Sequence, residues 1–418
     1  MSFHKWDAYR VYLILSGASA LSFGIIFTLN LVYQAQVVGL SPLQLVLVGT
    51  TLEVTAFLFE IPTGIVADLY SRRLSVITGF LLIGIGFVIE GALPLFWAVL
   101  LNQIIWGIGI TFTSGALEAW IVDEVGESRT GVVLMRGAQA GQFGGIIGII
   151  LSVALGSAAL ALPVVFGGAM FVVLAIFLAL VMPETGFKPT PRGERSSWQS
   201  MVSTARDSVR LVRARPILLT FLAISLVIGA YSEGFDRLWR AHLTADFTLP
   251  TLGALSPVVW FGIISIVSML LSMAATEIAR RRLDTRNQRM VARVLIAAFA
   301  AMVTALLAFA LTENVWIALV ALWVANTLRG TAEPIVSTWT NLHVESRVRA
   351  TMLSSLGQVN AVGQIAGGPV VGVIGSTYGL RAALSASALL LAPVVWLIGR
   401  ASRHDAPAPQ VEVEPVAQ

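Results

Sequence analysis

Two acidic residues lie within a long apolar segment near the start of the chain and are the first candidates for chemistry. Glu53 and Glu60 are spaced so that both carboxyl groups lie on one face of a helix. An ionisable group in apolar surroundings costs free energy, so it needs a function or a partner. Each carboxyl could carry a proton or bind a polar ligand, or be a structural group bonded to a neighbouring helix. We expect Glu60 to lie deeper and Glu53 nearer the outer end.

A second polar group lies in an apolar segment of the second half. Arg329 and Glu333 have the i, i+4 spacing of a helical ion pair, and Asn326 lies on nearly the same face. Such a pair is either a switch that breaks during function or a static neutralised pair, and the sequence leaves both open. Asn30, in the first apolar segment, is a further candidate for binding.

A third polar group, Glu233, Asp236 and Arg237, stands beside Trp239. We expect this cluster near the outer surface, either as a gate or simply solvated.

Other chemistries find no support in the sequence. There is no cysteine, and the four histidines are far apart, so the sequence predicts neither a metal site nor a cofactor.

Long helices must position these groups. Of 418 residues, 56% are hydrophobic and only 12% are charged, with a mean hydropathy of +0.83. A soluble domain needs more polar surface, and the apolar runs fit the thickness of a bilayer. Barrel strands would be shorter. The sequence therefore predicts twelve membrane-spanning helices, near residues 9–34, 43–68, 75–92, 95–122, 131–155, 162–183, 216–240, 253–277, 291–311, 314–341, 350–375 and 380–400.

The positive charges set the predicted orientation. The net charge is +4, but the basic residues lie almost entirely in alternate loops, so topology explains them better than nucleic-acid binding does. Both termini are predicted to be cytoplasmic. The predicted units are an N-terminal six-helix bundle (1–183), a cytoplasmic linker (184–215) with an amphipathic helix near 197–213, a C-terminal six-helix bundle (216–403) and a disordered tail (404–418).

A charged turn after the second span occurs once in each half. It contains Asp68, Arg72 and Arg73, and Glu277, Arg281 and Arg282 stand at one constant offset further along the chain. Similar matches join Gly115, Glu118 and Glu127-Ser128-Arg129 to Gly330, Glu333 and Glu345-Ser346-Arg347. The repetition predicts two parallel repeats of six helices.

With this turn and repeat, the chain resembles the major facilitator superfamily, whose turn after helix 2 reads Gly-x-x-x-Asp-Arg-x-Gly-Arg-Arg. Gly64, Asp68, Arg72 and Arg73 match this pattern, whereas Leu69 and Ser71 depart from it. The preceding Glu-Ile-Pro-Thr-Gly-x-x-Ala-Asp stretch is similar to the macrolide- and tetracycline-efflux-type drug/proton antiporters. The resemblance implies an all-α integral membrane fold of twelve transmembrane helices in two six-helix pseudo-repeats.

The resemblance also implies a cytoplasmic gate. Asp68 would bind the positive helix N-terminus of span 11, near Ala350 to Met352. Arg72 and Arg73 would pair with acids such as Asp123, Glu124 or Glu127, or serve only as topology anchors. The implied gate residues are Gly64, Asp68, Arg72, Arg73, Asp123, Glu277 and Arg281.

Spans 1, 4, 7 and 10 line the central cavity in this superfamily, which makes Asn30, Asn326 and Arg329 candidates for substrate binding. The implied function is secondary transport by alternating access: export of amphipathic small molecules in exchange for protons, by a monomer in the cell membrane. A proton-coupled importer of one metabolite and a non-transporting sensor or scaffold are the alternatives, and an enzyme is disfavoured. There is no ATP-binding P-loop, so a gradient must supply the energy.

Overall fold

The computed structural model describes residues 6–188, 216–253, 255–284, 287–344 and 349–402. Within these ranges it is almost entirely helical, and twelve segments are long and apolar enough to cross a membrane. We number them span 1 to span 12. Their helices are Ala8–Gln36, Pro42–Leu69, Arg72–Ala92, Phe96–Thr113 with Ala116–Val125, Glu127–Ala158, Ala161–Val181, Pro216–Asp246, Val259–Arg282, Gln288–Leu311, Val315–His343, Arg349–Tyr378, and Leu380–Leu391 with Pro393–Ala401. The predicted fold class is confirmed.

Local sequence accounts for the ends and breaks of several spans. Ser41 caps span 2 in a capping box with Gln44, and the Ser71 side chain caps span 3 by accepting from the Leu74 N–H. Span 4 breaks at Gly115, whose φ of 71° is open to glycine but strained for other residues.

The two halves pack in the same way. Span 1 lies along span 5, and span 7 lies along span 11, at equivalent places in the two repeats. Glycine allows the backbones to touch: a Cβ built on Gly24 would lie 2.8 Å from the Gly145 carbonyl oxygen, and one on Gly367 would lie 2.5 Å from that of Ala230. Each half therefore contains a tightly joined helix pair.

We call the side on which spans 6 and 7 meet the linker the linker side, and the other the far side. On the far side the halves join in a seam between the start of span 2 and the end of span 11. The Leu43 N–H donates to Ser376 Oγ at 3.0 Å, and a Cβ on Gly375 would lie 2.9 Å from Pro42 Cβ. Nearer the linker side, Glu60 of span 2 and Gln358 of span 11 are exposed and line one cleft of about 250 Å³.

Two sequence expectations lie beyond what the structure describes. Residues 189–215, with the predicted linker helix, and the tail at 404–418 fall outside the described ranges. The bundle and linker boundaries therefore stay predictions.

Candidate functional site

A cavity of about 430 Å³ lies between the two halves, close to the middle of the helices. Spans 1, 2, 4, 7, 8, 10 and 11 all contribute to its wall, which includes the expected spans 1, 4, 7 and 10. We call it the central cavity. Its polar side chains are Asn30, Glu53, Glu233, Asp236, Arg237, Arg240, Ser265, Ser268, Asn326 and Gln364, and its aromatic ones are Phe27, Trp106 and Trp239.

The cluster on span 7 contradicts the expectation of an outer-surface position. Span 7 continues to Asp246, beyond the predicted end, so Glu233, Asp236 and Arg237 lie near its middle and face the central cavity. Glu233 is only 3% exposed. Its Oε1 accepts from Arg237 Nε at 2.9 Å, which neutralises both charges. The helix was predicted too short because the polar residues lower its local hydropathy.

Glu53 and Glu60 differ in depth in the opposite sense to the expectation. Span 2 runs from Pro42 to Leu69, so Glu53 is the nearer of the two to its midpoint. Glu53 is half-buried, lines the central cavity and lies close enough to Glu233 and Arg237 to interact with both. Glu60 is exposed in the linker-side cleft. Glu53 also lines the linker-side cleft, so its carboxyl borders both the cleft and the central cavity.

Arg329 pairs mainly with a residue that the sequence spacing does not suggest. Its Nη1 donates to Asp236 Oδ1 at 2.6 Å, whereas Nε lies 3.4 Å from Glu333 Oε1. The predicted pair exists, but the shorter contact joins span 10 to span 7. Asn326 reaches the central cavity and donates to Ser268 Oγ at 3.2 Å.

Several polar atoms of residues that line the central cavity lack a hydrogen-bond partner. Asn30 Oδ1, Trp106 Nε1 and Arg240 Nε are buried and have no hydrogen-bond partner among the described residues. A buried polar atom without a partner is costly. A solute with its own donors and acceptors would remove that cost. The Arg240 guanidinium also stacks over Trp239, 4.3 Å from the ring centroid.

On the linker side, one of the predicted ion pairs is present, between Arg72 and Asp123. Arg72 Nη1 contacts Asp123 and also the Ala119 carbonyl oxygen. Arg73 instead donates to the Ala179 carbonyl oxygen at 2.6 Å, while its backbone N–H donates to Glu184. All these contacts lie within the N-terminal bundle or join it to Glu184 at the start of the predicted linker, so none of them connects the two halves.

The other expected gate residues make no contact between the halves within the described ranges. Asp68 is exposed and has no hydrogen-bond or ion-pair partner there. The side chains of residues 349–351, near its predicted partner, lie outside the described ones. Glu277 pairs locally with Arg280 and Arg281 at 2.7 and 2.5 Å, and a Cβ on Gly64 would meet nothing within 4 Å. Among the described residues, therefore, these gate residues do not join the two halves on the linker side.

Glu90 was not among the sequence candidates, yet it is completely buried. It lies near the far-side end of span 3 and accepts hydrogen bonds from Gln34 and Asn102. An acid within a predicted span is a signal that could have found it.

A polar cavity between two six-helix halves that are closed on one side defines a membrane transporter. The chain belongs to the Major Facilitator Superfamily, because its residues 12–356 match the model of that family. This is a family of transporters, not of enzymes.

Known proteins similar to the chain agree with this assignment. The uncharacterized MFS-type transporter YxaM of Bacillus subtilis (strain 168) is 24% identical over 361 residues, 84% of this chain and 86% of YxaM. A mutant of the nucleoside transporter NupG has a TM-score of 0.76 with 14% identity, covering 94% of this chain and all of that one. A bacterial homologue of the human lysosomal transporter Spinster, inward-facing and occupied, has a TM-score of 0.73 with 15% identity, covering 96% and 98%. The structural likenesses concern the fold alone.

Proposed function

We propose that this chain carries a small, hydrogen-bonding solute through the central cavity by alternating access and couples that movement to a proton on Glu53. The observation that carries the proposal is the central cavity itself, whose wall both halves share. Rocking of the halves about such a cavity would expose it first to one side and then to the other. The far-side seam and the linker-side cleft correspond to one of these two states.

The polar wall guides the choice of substrate. Export of varied amphipathic drugs would suit an apolar cavity, whereas the central cavity is lined by the charged residues Glu53, Glu233, Asp236, Arg237 and Arg240. The unpartnered atoms of Asn30, Trp106 and Arg240 add hydrogen-bonding capacity. These features favour a polar metabolite with a planar part that can stack on the aromatic wall, and so favour the metabolite-transport alternative.

Export of amphipathic molecules is the second candidate, and a separate cavity favours it. A mostly apolar pocket of about 220 Å³ lies within the C-terminal half, lined by Phe221, Tyr231 and Met302 among others. Arg329 also lines it, and its bonded partner Asp236 lines the central cavity. A molecule with a polar head and an apolar tail would suit this pair of cavities.

Glu53 is the proposed proton carrier because it lies in the wall of the central cavity, among the other charged groups. When Glu53 is ionised, the carboxylates and arginines of the central cavity wall are nearly balanced, and protonation of Glu53 adds one positive charge. The solute and the proton therefore change each other's binding free energy through the same cavity, which is what coupling requires. Glu60 remains the alternative carrier, nearer the linker side.

The remaining parts of the proposal concern orientation and assembly. Because basic loops favour the cytoplasmic side of a membrane, we propose that the linker side and both termini face the cytoplasm and that the protein lies in the cell membrane. The chain acts as a monomer, since the central cavity needs no second copy to complete its wall.

The test is uptake and efflux of a broad panel of metabolites, dyes and antibiotics in cells and in proteoliposomes, with and without a protonophore. Wild type is compared with Glu53→Gln and Glu60→Gln, and with Glu313→Gln as a control, since Glu313 is 87% exposed on the far side. We expect protonophore-sensitive transport of a polar solute, lost in Glu53→Gln and retained in the control. Full proton-driven transport by Glu53→Gln would refute Glu53 as the proton carrier. Loss of proton-driven transport in Glu60→Gln alone would assign that role to Glu60. Transport of dyes and antibiotics only would favour amphipathic export.

A further inference from the structure

Glu90 stands apart from the groups used above. Its side chain is 0% exposed, and both of its oxygens are engaged. Gln34 Nε2 of span 1 donates to Oε1 at 2.8 Å, and Asn102 Nδ2 of span 4 donates to Oε2. The Tyr33 hydroxyl donates to the backbone carbonyl oxygen of Glu90 at 2.8 Å. The carboxyl is therefore held at the junction of three spans.

The partners of Glu90 are all neutral. No arginine, lysine or histidine among the described residues forms an ion pair with it. Span 6, which packs along span 3, contains no ionisable residue, and the acids of span 4 lie at its opposite, linker-side end. Arg237 of span 7 acts on Glu90 through space but is already bonded to Glu233. An ionised carboxylate here would lack its own counter-charge, which is costly in an apolar interior.

The neighbouring amides can serve either protonation state of Glu90. An amide side chain offers N–H donors on one side and an oxygen acceptor on the other. The amide oxygens of Asn30, Gln34 and Asn102 are buried without a partner among the described residues. A half-turn of Gln34 or Asn102 would present an oxygen to a protonated Glu90, and the observed orientation suits the ionised form.

Asn30 connects Glu90 to the central cavity. Asn30 lies one helical turn before Gln34 on span 1, close enough to Glu90 for its amide to act on the carboxyl, and it also lines the central cavity while being only 4% exposed. Asn30 therefore lies next to both the Glu90 carboxyl and the central cavity. A rotation of Asn30 would open the way without moving a helix.

We propose that Glu90 is a second proton-binding site, which exchanges its proton with the central cavity when the Asn30 side chain turns aside. The O–H bond of Glu90 breaks, the proton passes to a water molecule in the cavity, and the carboxylate keeps the electron pair and accepts hydrogen bonds from the Gln34 and Asn102 amides, as in the observed orientation. The role in transport rests on the proposed function, but the site itself does not depend on Glu53 or on any substrate.

The experiment is difference infrared spectroscopy on the purified full-length protein in lipid, with steps in pH and exchange into D₂O. A protonated carboxyl gives a C=O stretching band that a carboxylate lacks and that shifts on deuteration. We expect one such band to be lost in Glu90→Gln and kept in Glu53→Gln and Glu313→Gln. Glu90→Gln keeps similar shape and hydrogen bonding, and Glu90→Asp, which shifts the band instead of removing it, serves if the first variant fails to fold.

Asn30→Ala tests the route. It should speed the deuterium shift of the Glu90 band relative to wild type, without removing the band. Absence of the band at every accessible pH would overturn the proposal, because Glu90 would then be permanently ionised. A band that never shifts in D₂O, in wild type or in Asn30→Ala, would overturn it equally by showing a static structural proton. Failure of Glu53→Gln to affect transport would leave this outcome unchanged, so the two proposals fail separately.

Discussion

The ion pair between Glu233 and Arg237 offers a quantitative test of the central cavity. Glu233→Gln and Arg237→Met each remove one charge, and the double variant removes both. The two side chains are 4% and 15% exposed and 2.9 Å apart, so neither charge is well hydrated. Glu53 faces both groups as a third charge.

The expected magnitudes follow from what remains after each change. Loss of one partner of a buried pair costs about 3–5 kcal/mol, because the other charge stays buried, whereas loss of both is often close to neutral. Glu233→Gln should cost about 3 kcal/mol at a pH where Glu53 is ionised, since the Glu53 carboxylate then partly compensates Arg237. Arg237→Met should cost more, about 4–5 kcal/mol, because it leaves Glu233 beside Glu53.

The pH dependence should have opposite signs in the two single variants. In Arg237→Met, protonation neutralises the orphaned carboxyl, so its destabilisation shrinks as pH falls. In Glu233→Gln, protonation of Glu53 removes the compensation of an arginine that stays charged, so its destabilisation grows as pH falls. The sign is therefore set by which group is left behind.

The assay is reversible denaturant unfolding of the purified protein in mixed micelles, at several pH values. We expect the double variant to be far more stable than the sum of the single effects predicts, which is the signature of direct coupling. Additive single effects, or the same pH slope in both single variants, would refute the assignment of a buried, mutually neutralising pair.

Two further predictions concern the gate and the helix contacts. We expect Asp68 to contribute about 1–2 kcal/mol to the state in which the linker side is closed. Asp68→Asn should therefore lower the transport rate by roughly fivefold to thirtyfold, without lowering membrane insertion or thermal stability. Unchanged initial transport rates would exclude that role. Gly144→Ala should destabilise the protein by about 1–3 kcal/mol, because its Cβ would meet the Gly17 carbonyl oxygen. Gly145→Ala is the matched control, since its Cβ meets nothing within 4 Å; equal thermal stability of the two variants would contradict the close contact of spans 1 and 5.

The sequence predicts the helices well because the bilayer imposes a length and a composition on each of them. The predicted spans agree with the structure to within a few residues at most ends. The turn after span 2 can also be predicted from the sequence. Ser71 caps the start of span 3, and Arg72 of span 3 pairs with Asp123 of the adjacent span 4. These features depend on local chemistry or on strong periodic patterns.

Depth and rotation of a helix are harder to read, because they depend on partners distant in sequence. Arg329 has a well-spaced neighbour in Glu333, yet its closer partner is Asp236 on another span. Glu90 is surrounded by Gln34 and Asn102, whose amides carry no charge to signal a partnership. Hydropathy records how apolar a segment is and does not report which face meets which neighbour.

The far-side seam has a consequence for how ionic strength would act on the transport cycle. Leu43, Gly375 and Ser376 close it with a hydrogen bond from a backbone N–H to a serine hydroxyl and with van der Waals contacts between small groups. Dissolved salt screens exposed charges strongly but hardly alters such contacts. If the linker side closes through charged groups such as Asp68, then salt weakens only one of the two closed states. The equilibrium between outward- and inward-open forms would then shift with salinity, although neither the solute nor the proton gradient had changed.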